Sequence, residues 1–206
     1  MGIKNYNILS VGVGGQGVVR VVQILSHAAL REGFKVRTAE THGMAQRGGS
    51  VAAYLRFGSN MEGPLIPRGQ AHVVLAFEMS EAVRHFAYAG PNTYFFINEM
   101  LIIPPMNTRM KKEYPNSDEI YSFLKSVSHH IYFIKAEELA KKSGSYRTMN
   151  VVMLGVLLGA NKIPIDKNNL EDSILEYVPK KTHEINKKAF QLGIEKGNLI
   201  MSDQYE

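Results

Sequence analysis

A three-layer α/β fold with a mostly parallel sheet is what this sequence predicts, and three observations carry the prediction. A short apolar run ends in a glycine-rich turn and passes into a helical pattern. Strand-like and helix-like segments then alternate as far as Ala136. Beyond that point only helical patterns remain, so the body should be a sheet covered by helices and the end a helical segment.

Residues 6–11 are apolar and are stopped by Gly12, Gly14, Gly15 and Gly17, the pattern of a buried strand. Across 18–31 the apolar Val18, Val21, Val22, Leu25, Ala28 and Ala29 recur at helical spacing until Gly33 stops them. Residues 35–39 supply a second strand, which completes a Rossmann-like βαβ unit and requires a right-handed crossover in a parallel sheet. A polar loop over 40–49 leads to an alternating strand at 50–57, and 58–70, with Pro64 and Pro67, is a loop. Further strands are expected at 72–77, 93–98 and 131–134, with helices at 80–87 and 118–127, the latter capped by Ser117.

The helical end reads as 137–142, 148–160, 170–177 and 181–196. The third-last of these is apolar around most of its circumference, so it must be buried on several sides, and Gly155 and Gly159 would admit a neighbouring helix closely. No Gly/Ser-rich linker separates body from tail. One domain over 1–206 is therefore expected, an α/β body to residue 160 with a helical extension over 161–206 packed on it.

Composition excludes several function classes. Zero cysteines among 206 residues rule out disulfides, a thiolate nucleophile, thiolate-bound zinc and any iron-sulfur cluster held by this chain. The net charge of +5 is concentrated in residues 1–50, where Lys4, Arg20, Arg31, Lys35, Arg37 and Arg47 face Glu32 and Glu40. No run of five like charges occurs, so nucleic-acid binding is not expected. Nor is there a leader pattern or an apolar run of about 18 residues, which predicts a soluble, cytoplasmic protein with no membrane contact.

Two stretches carry the chemistry. Gly12-Val13-Gly14-Gly15-Gln16-Gly17 has the spacing G-x-G-x-x-G between strand and helix. Glycines let backbone amides approach an anion while the helix contributes the positive end of its dipole. The same pattern also makes a tight strand-helix turn that holds nothing. In a dinucleotide site an acid about 20 residues on grips the ribose, and Glu40 stands there.

The loop from Thr41 through His42, Gly43, Met44, Ala45, Gln46, Arg47, Gly48 and Gly49 to Ser50 is the second stretch. It lies where a strand ends, on the edge at which such sheets collect ligands, and Arg47 offers a planar cation for carboxylate or phosphate. An ordinary dinucleotide fold would place an undemanding turn there. The candidate anion-binding set is Gly12, Gly14, Gly15, Gln16, Gly17, Glu40, His42, Gln46, Arg47, Gly48, Gly49 and Ser50. The seven histidines show no metal-ligand spacing; His27 and His85 read as surface or satisfied helix positions. Glu81 is expected to face Arg84 or His85, with Glu78 and Glu81 complementing a helix dipole. Ser50 has no evident base partner, and no catalytic residue is assigned.

Together the glycine turn, Thr38-Ala39-Glu40, His42-Gly43-Met44 and Gln46-Arg47-Gly48-Gly49-Ser50-Val51 resemble the gamma-type subunit of 2-oxoacid:ferredoxin oxidoreductases, and within it the beta subunit of the indolepyruvate type. Ala76-Phe77-Glu78, Glu81-Ala82, Asn150 and Leu154-Gly155 extend the resemblance over about the first 160 residues. It implies a heteromeric enzyme that oxidatively decarboxylates a 2-oxoacid and passes the acyl group to coenzyme A. Thiamine diphosphate, magnesium and [4Fe-4S] clusters would lie on a large alpha subunit, with ferredoxin as acceptor. The absence of cysteine and of a Gly-Asp-Gly stretch agrees with that division. Two other readings remain: a freestanding dinucleotide-binding oxidoreductase using Gly12, Gly14, Gly17 and Glu40, and a non-catalytic assembly module.

Overall fold

The computed structural model describes residues 3–43, 48–103 and 113–202; Met44, Ala45, Gln46 and Arg47 of the candidate loop lie outside them. The elements run β1 (Tyr6–Val13), α1 (Val18–Arg31), β2 (Lys35–His42), β3 (Ser50–Gly58), β4 (Val73–Ala76), α2 (Met79–Arg84), β5 (Tyr94–Asn98), α3 (Ser117–Lys125), β6 (His130–Ile134), α4 (Ala136–Ser143), α5 (Met149–Gly159), α6 (Lys167–Tyr177) and α7 (His183–Ser202). The six strands form one sheet in the order β2-β3-β1-β4-β5-β6. β1, β4, β5 and β6 pair in parallel, whereas β3 runs antiparallel to both β1 and β2.

This corrects the expected βαβ unit: β1 and β2 are not neighbours, because β3 lies between them. The reason is in the side chains. All of β3 after Ser50 is buried on both faces, so it belongs in the interior of a sheet. β2 exposes Lys35, Arg37, Thr38 and Glu40, which suits an edge.

Alternation then sorts the core into two layers. Ile8, Val51, Ala53, Leu55, Val73, Leu75 and Phe96 pack with α1, α4, α5, α6 and α7 on one face. Leu9, Val11, Ala52, Tyr54, Val74, Phe95 and Ile97 pack with α2 and α3 on the other. Helix α2 stops at Arg84, earlier than the pattern suggested, and a 3-10 turn at Phe86–Tyr88 follows. The cap of α3 is Asn116 rather than Ser117: its side chain accepts from the Glu119 amide, and Glu119 accepts in return from the Asn116 amide. Helix α5 is buried along nearly its whole length and crosses α7 at glycines from both helices.

Candidate functional site

Strand β1 ends in the glycine turn, and Gly17, with φ 83°, caps α1 in a left-handed conformation that only glycine adopts without strain. Gly12 is needed for space, since a Cβ there would meet Gln16 Oε1 at 2.7 Å and Val18 Cγ2 at 2.9 Å. The Gly14 amide donates to the Gly49 carbonyl at 2.9 Å, so the two glycine stretches marked in the sequence are joined at the upper edge of the sheet.

Gln16 is turned inward. Its Oε1 accepts from the Val13 amide at 2.7 Å, and its Nε2 donates to the Phe77 carbonyl at 3.1 Å, tying the turn to the end of β4. Gln16→Leu is therefore expected to lose about 1–2 kcal/mol of stability by leaving the Val13 amide unpaired, while the Phe77 carbonyl keeps its bond from Asn98 Nδ2. Urea unfolding of the full chain measures it.

What remains accessible is a cleft of about 470 Å³ lined by Val13, Gly14, Gly15, Gly17, Val18, Val19, Arg20, Gln23 and Val51. Among the described residues no backbone or side-chain acceptor takes the amides of Gly15, Gly17, Val18 or Val19. Arg20 stands in the first turn of α1, where a cation opposes the helix dipole. Its guanidinium donates to the Tyr177 carbonyl and lies 5.7 Å from the Tyr177 ring centre, and no described carboxylate pairs with it. Sequence reading missed this residue; a lone cation in a first turn, against the dipole, is the signal that marks it.

Glu40 is not brought to the turn. Register places it opposite Ala53, in the row of Ser10, while His42 shares the row of Gly12. With β3 intervening, β2 stands about 9–10 Å from β1. Glu40 instead borders a separate cavity of about 310 Å³ beside Gln23, His27 and Tyr177. The ribose-gripping geometry of a dinucleotide site is thus displaced.

Ser50 does have partners, contrary to expectation. It points to the α2 face of the sheet, where its hydroxyl bonds Glu81 and lies 3.4 Å from His85 Nε2. Glu81 also accepts from Arg84 Nε at 2.9 Å, as its spacing implied. Glu78 caps α2, its carboxylate accepting from the Glu81 amide. Burial alone pushes the Glu81 carboxyl up; hydrogen bonds from His85, Ser50 and Arg84, with the charge of Arg84, bring it below its ordinary value. The cluster fastens the first residue of β3, and with it the Gly48–Gly49 end of the loop, to α2.

The profile of the pyruvate ferredoxin/flavodoxin oxidoreductase family matches residues 7–196. Indolepyruvate oxidoreductase subunit IorB of Archaeoglobus fulgidus is 42% identical over 187 residues, 91% of this chain and 92% of the relative. The subunit of that name from Pyrococcus horikoshii is 38% identical over 201 residues, 97% and 100% of the two chains. Among solved structures, the gamma subunit of keto/oxoacid ferredoxin oxidoreductase from Geobacter sulfurreducens shares the fold with a TM-score of 0.68 at 22% identity, covering 94% of this chain and 99% of that one. The 2-oxoglutarate:ferredoxin oxidoreductase of Magnetococcus marinus superposes with a TM-score of 0.69 at 22% identity over 98% of this chain and 32% of its own.

Proposed function

This chain belongs to the pyruvate ferredoxin/flavodoxin oxidoreductase family, and from that premise we propose that it is the small subunit of a 2-oxoacid:ferredoxin oxidoreductase acting on an aryl pyruvate such as indolepyruvate. Relatives named for that substrate, alike over nine-tenths of both chains, support the substrate class. The partner in this reading is a large subunit. Thiamine diphosphate with magnesium and [4Fe-4S] clusters, held there, supply the decarboxylation and the path for electrons to ferredoxin in the cytoplasm. With no cysteine, this chain has no thiolate to hold a cluster itself.

Its own part is to bind an anion. The observation that carries this is the glycine cleft at the N-terminus of α1, lined by residues whose amides are unengaged and by Arg20. Such a donor set suits a phosphate of coenzyme A better than a single carboxylate, because it offers several N–H groups and a full positive charge. Gly12 shapes the turn, Gly49, which follows Gly48, closes it by accepting the Gly14 amide, and Arg47, by its place in the sequence beside these glycines, adds a second guanidinium. Gln16 and Ser50 act as struts rather than ligands. His42, the last residue of β2, and Gln46, between β2 and β3 in the sequence, are assigned to the same site.

Mixing the chain with the large subunit, an aryl 2-oxoacid, coenzyme A and ferredoxin tests the proposal. Turnover should require both chains. Arg20→Ala and Arg47→Ala should each raise the KM for coenzyme A about tenfold with kcat little changed, the loss of one charge-assisted hydrogen bond. Full turnover by the large subunit alone would refute the subunit role, and unchanged KM values in both variants would leave only an assembly function. Calorimetry of the isolated chain with NAD should show no binding, as the displaced Glu40 implies.

A further inference from the structure

The opposite edge of the sheet, where the parallel strands begin, carries a second lined site. Tyr6, Tyr94 and His130 are the first residues of β1, β5 and β6, and His72 directly precedes β4. Their rings stack in pairs: Tyr6 on His72 with centres 4.6 Å apart, and Tyr94 on His130 at 4.2 Å. The turn after α5 lies over this row. Asn161 takes the left-handed conformation at φ 53°, uncommon for a residue with a side chain. The next residue, Lys162, accepts the Tyr6 hydroxyl on its carbonyl at 2.6 Å and holds its ammonium 4.2 Å from the centre of the Tyr94 ring.

Between these groups is a cavity of about 310 Å³, bounded also by Ile163 and Pro164, which shares His72 and Asn92 with a neighbouring cavity of about 330 Å³. No carboxylate lines either one. Among the described residues Lys162 makes no ion pair. His72 accepts the Asn7 amide on Nδ1 at 3.0 Å, so in the neutral ring the proton sits on Nε2. Burial pushes the His72 pKa down and favours that neutral form. The site is therefore lined by Lys162 and His72 together with Asn92 and Asn161 and the apolar surface of Tyr6, Tyr94, Ile163 and Pro164, within the size range of small-ligand pockets.

We propose that this cavity binds a small aryl carboxylate, its carboxylate on Lys162 Nζ and His72 Nε2 and its ring against Tyr6, Ile163 and Pro164. The site is separate from the glycine cleft and stands or falls without it. Calorimetric titration of the full chain with indole-3-acetate, uncharged indole and AMP provides the test. Indole-3-acetate should bind saturably, and indole about tenfold more weakly for want of the charge. Lys162→Met, which keeps the backbone carbonyl that holds Tyr6 and should melt as the parent does, should weaken indole-3-acetate by a similar factor. Arg20→Ala should leave its affinity unchanged. Absence of saturable binding, equal affinity in Lys162→Met, loss in Arg20→Ala or a preference for AMP would each overturn the assignment.

Discussion

Replacing Gly155 with alanine is expected to remove about 3 kcal/mol or more of stability and to lower the melting temperature by about 6–12 °C. A Cβ at this position would land on the Phe190 carbonyl, 2.9 Å from the Gly193 Cα and 3.0 Å from the Ile194 amide. These are backbone atoms of α7, which cannot rotate aside as a side chain does. Gly193 and Gly197 are matched from the other helix: their added carbons would meet Val152 and Val156 carbonyls of α5. Relief requires the helices to separate, and that withdraws contacts from Val152, Leu157, Ala189 and Phe190 in the larger core layer. Gly63→Ala is the control, since nothing lies within 4 Å of its added carbon. It should shift stability by no more than about 0.5 kcal/mol. Equal melting of the two variants would contradict the close-crossing account.

Loss of the Glu81 carboxylate should have the next largest effect. Glu81→Ala removes the buried carboxylate that Ser50, Arg84 and His85 share and should cost about 3 kcal/mol at neutral pH, since their polar groups lose a common acceptor. Glu81→Gln, which keeps the shape, should cost less but still show a pH signature. The folded carboxyl is held below its value of 4.5 in the unfolded chain. Its ionic contribution is therefore fully present above that value and disappears as pH falls through the lower folded value. Melting curves from pH 7 to pH 3 should show parent and Glu81→Gln converging on acidification. A gap independent of pH would mean that the carboxylate charge is not what stabilises the cluster.

Neighbouring Tyr54 reports on the same region. Its hydroxyl donates to Tyr88 at 3.1 Å, and burial, with the bond to Tyr88, pushes its pKa up to about 12. Tyr54 is thus buried on the α2 face of its strand.

Much of this molecule was legible in the residues alone. The glycine turn, the amphipathic α1 and the all-round apolar α5 were readable because each rests on a local rule, a positive φ or a repeat of 3.6 residues. The family could be read for a related reason: the glycine turn and the Gln-Arg-Gly-Gly loop are short contiguous runs. Tertiary structure alone decided that β3 would part β1 from β2, and so carried Glu40 away from the turn. It alone turned Gln16 to Phe77, Ser50 to Glu81 and Lys162 to Tyr94, and chose α7 as the helix that meets Gly155. Each of those partners is some 30 to 70 residues distant along the chain. Such pairings depend on which faces are buried and in what register strands meet, and local periodicity carries no record of either.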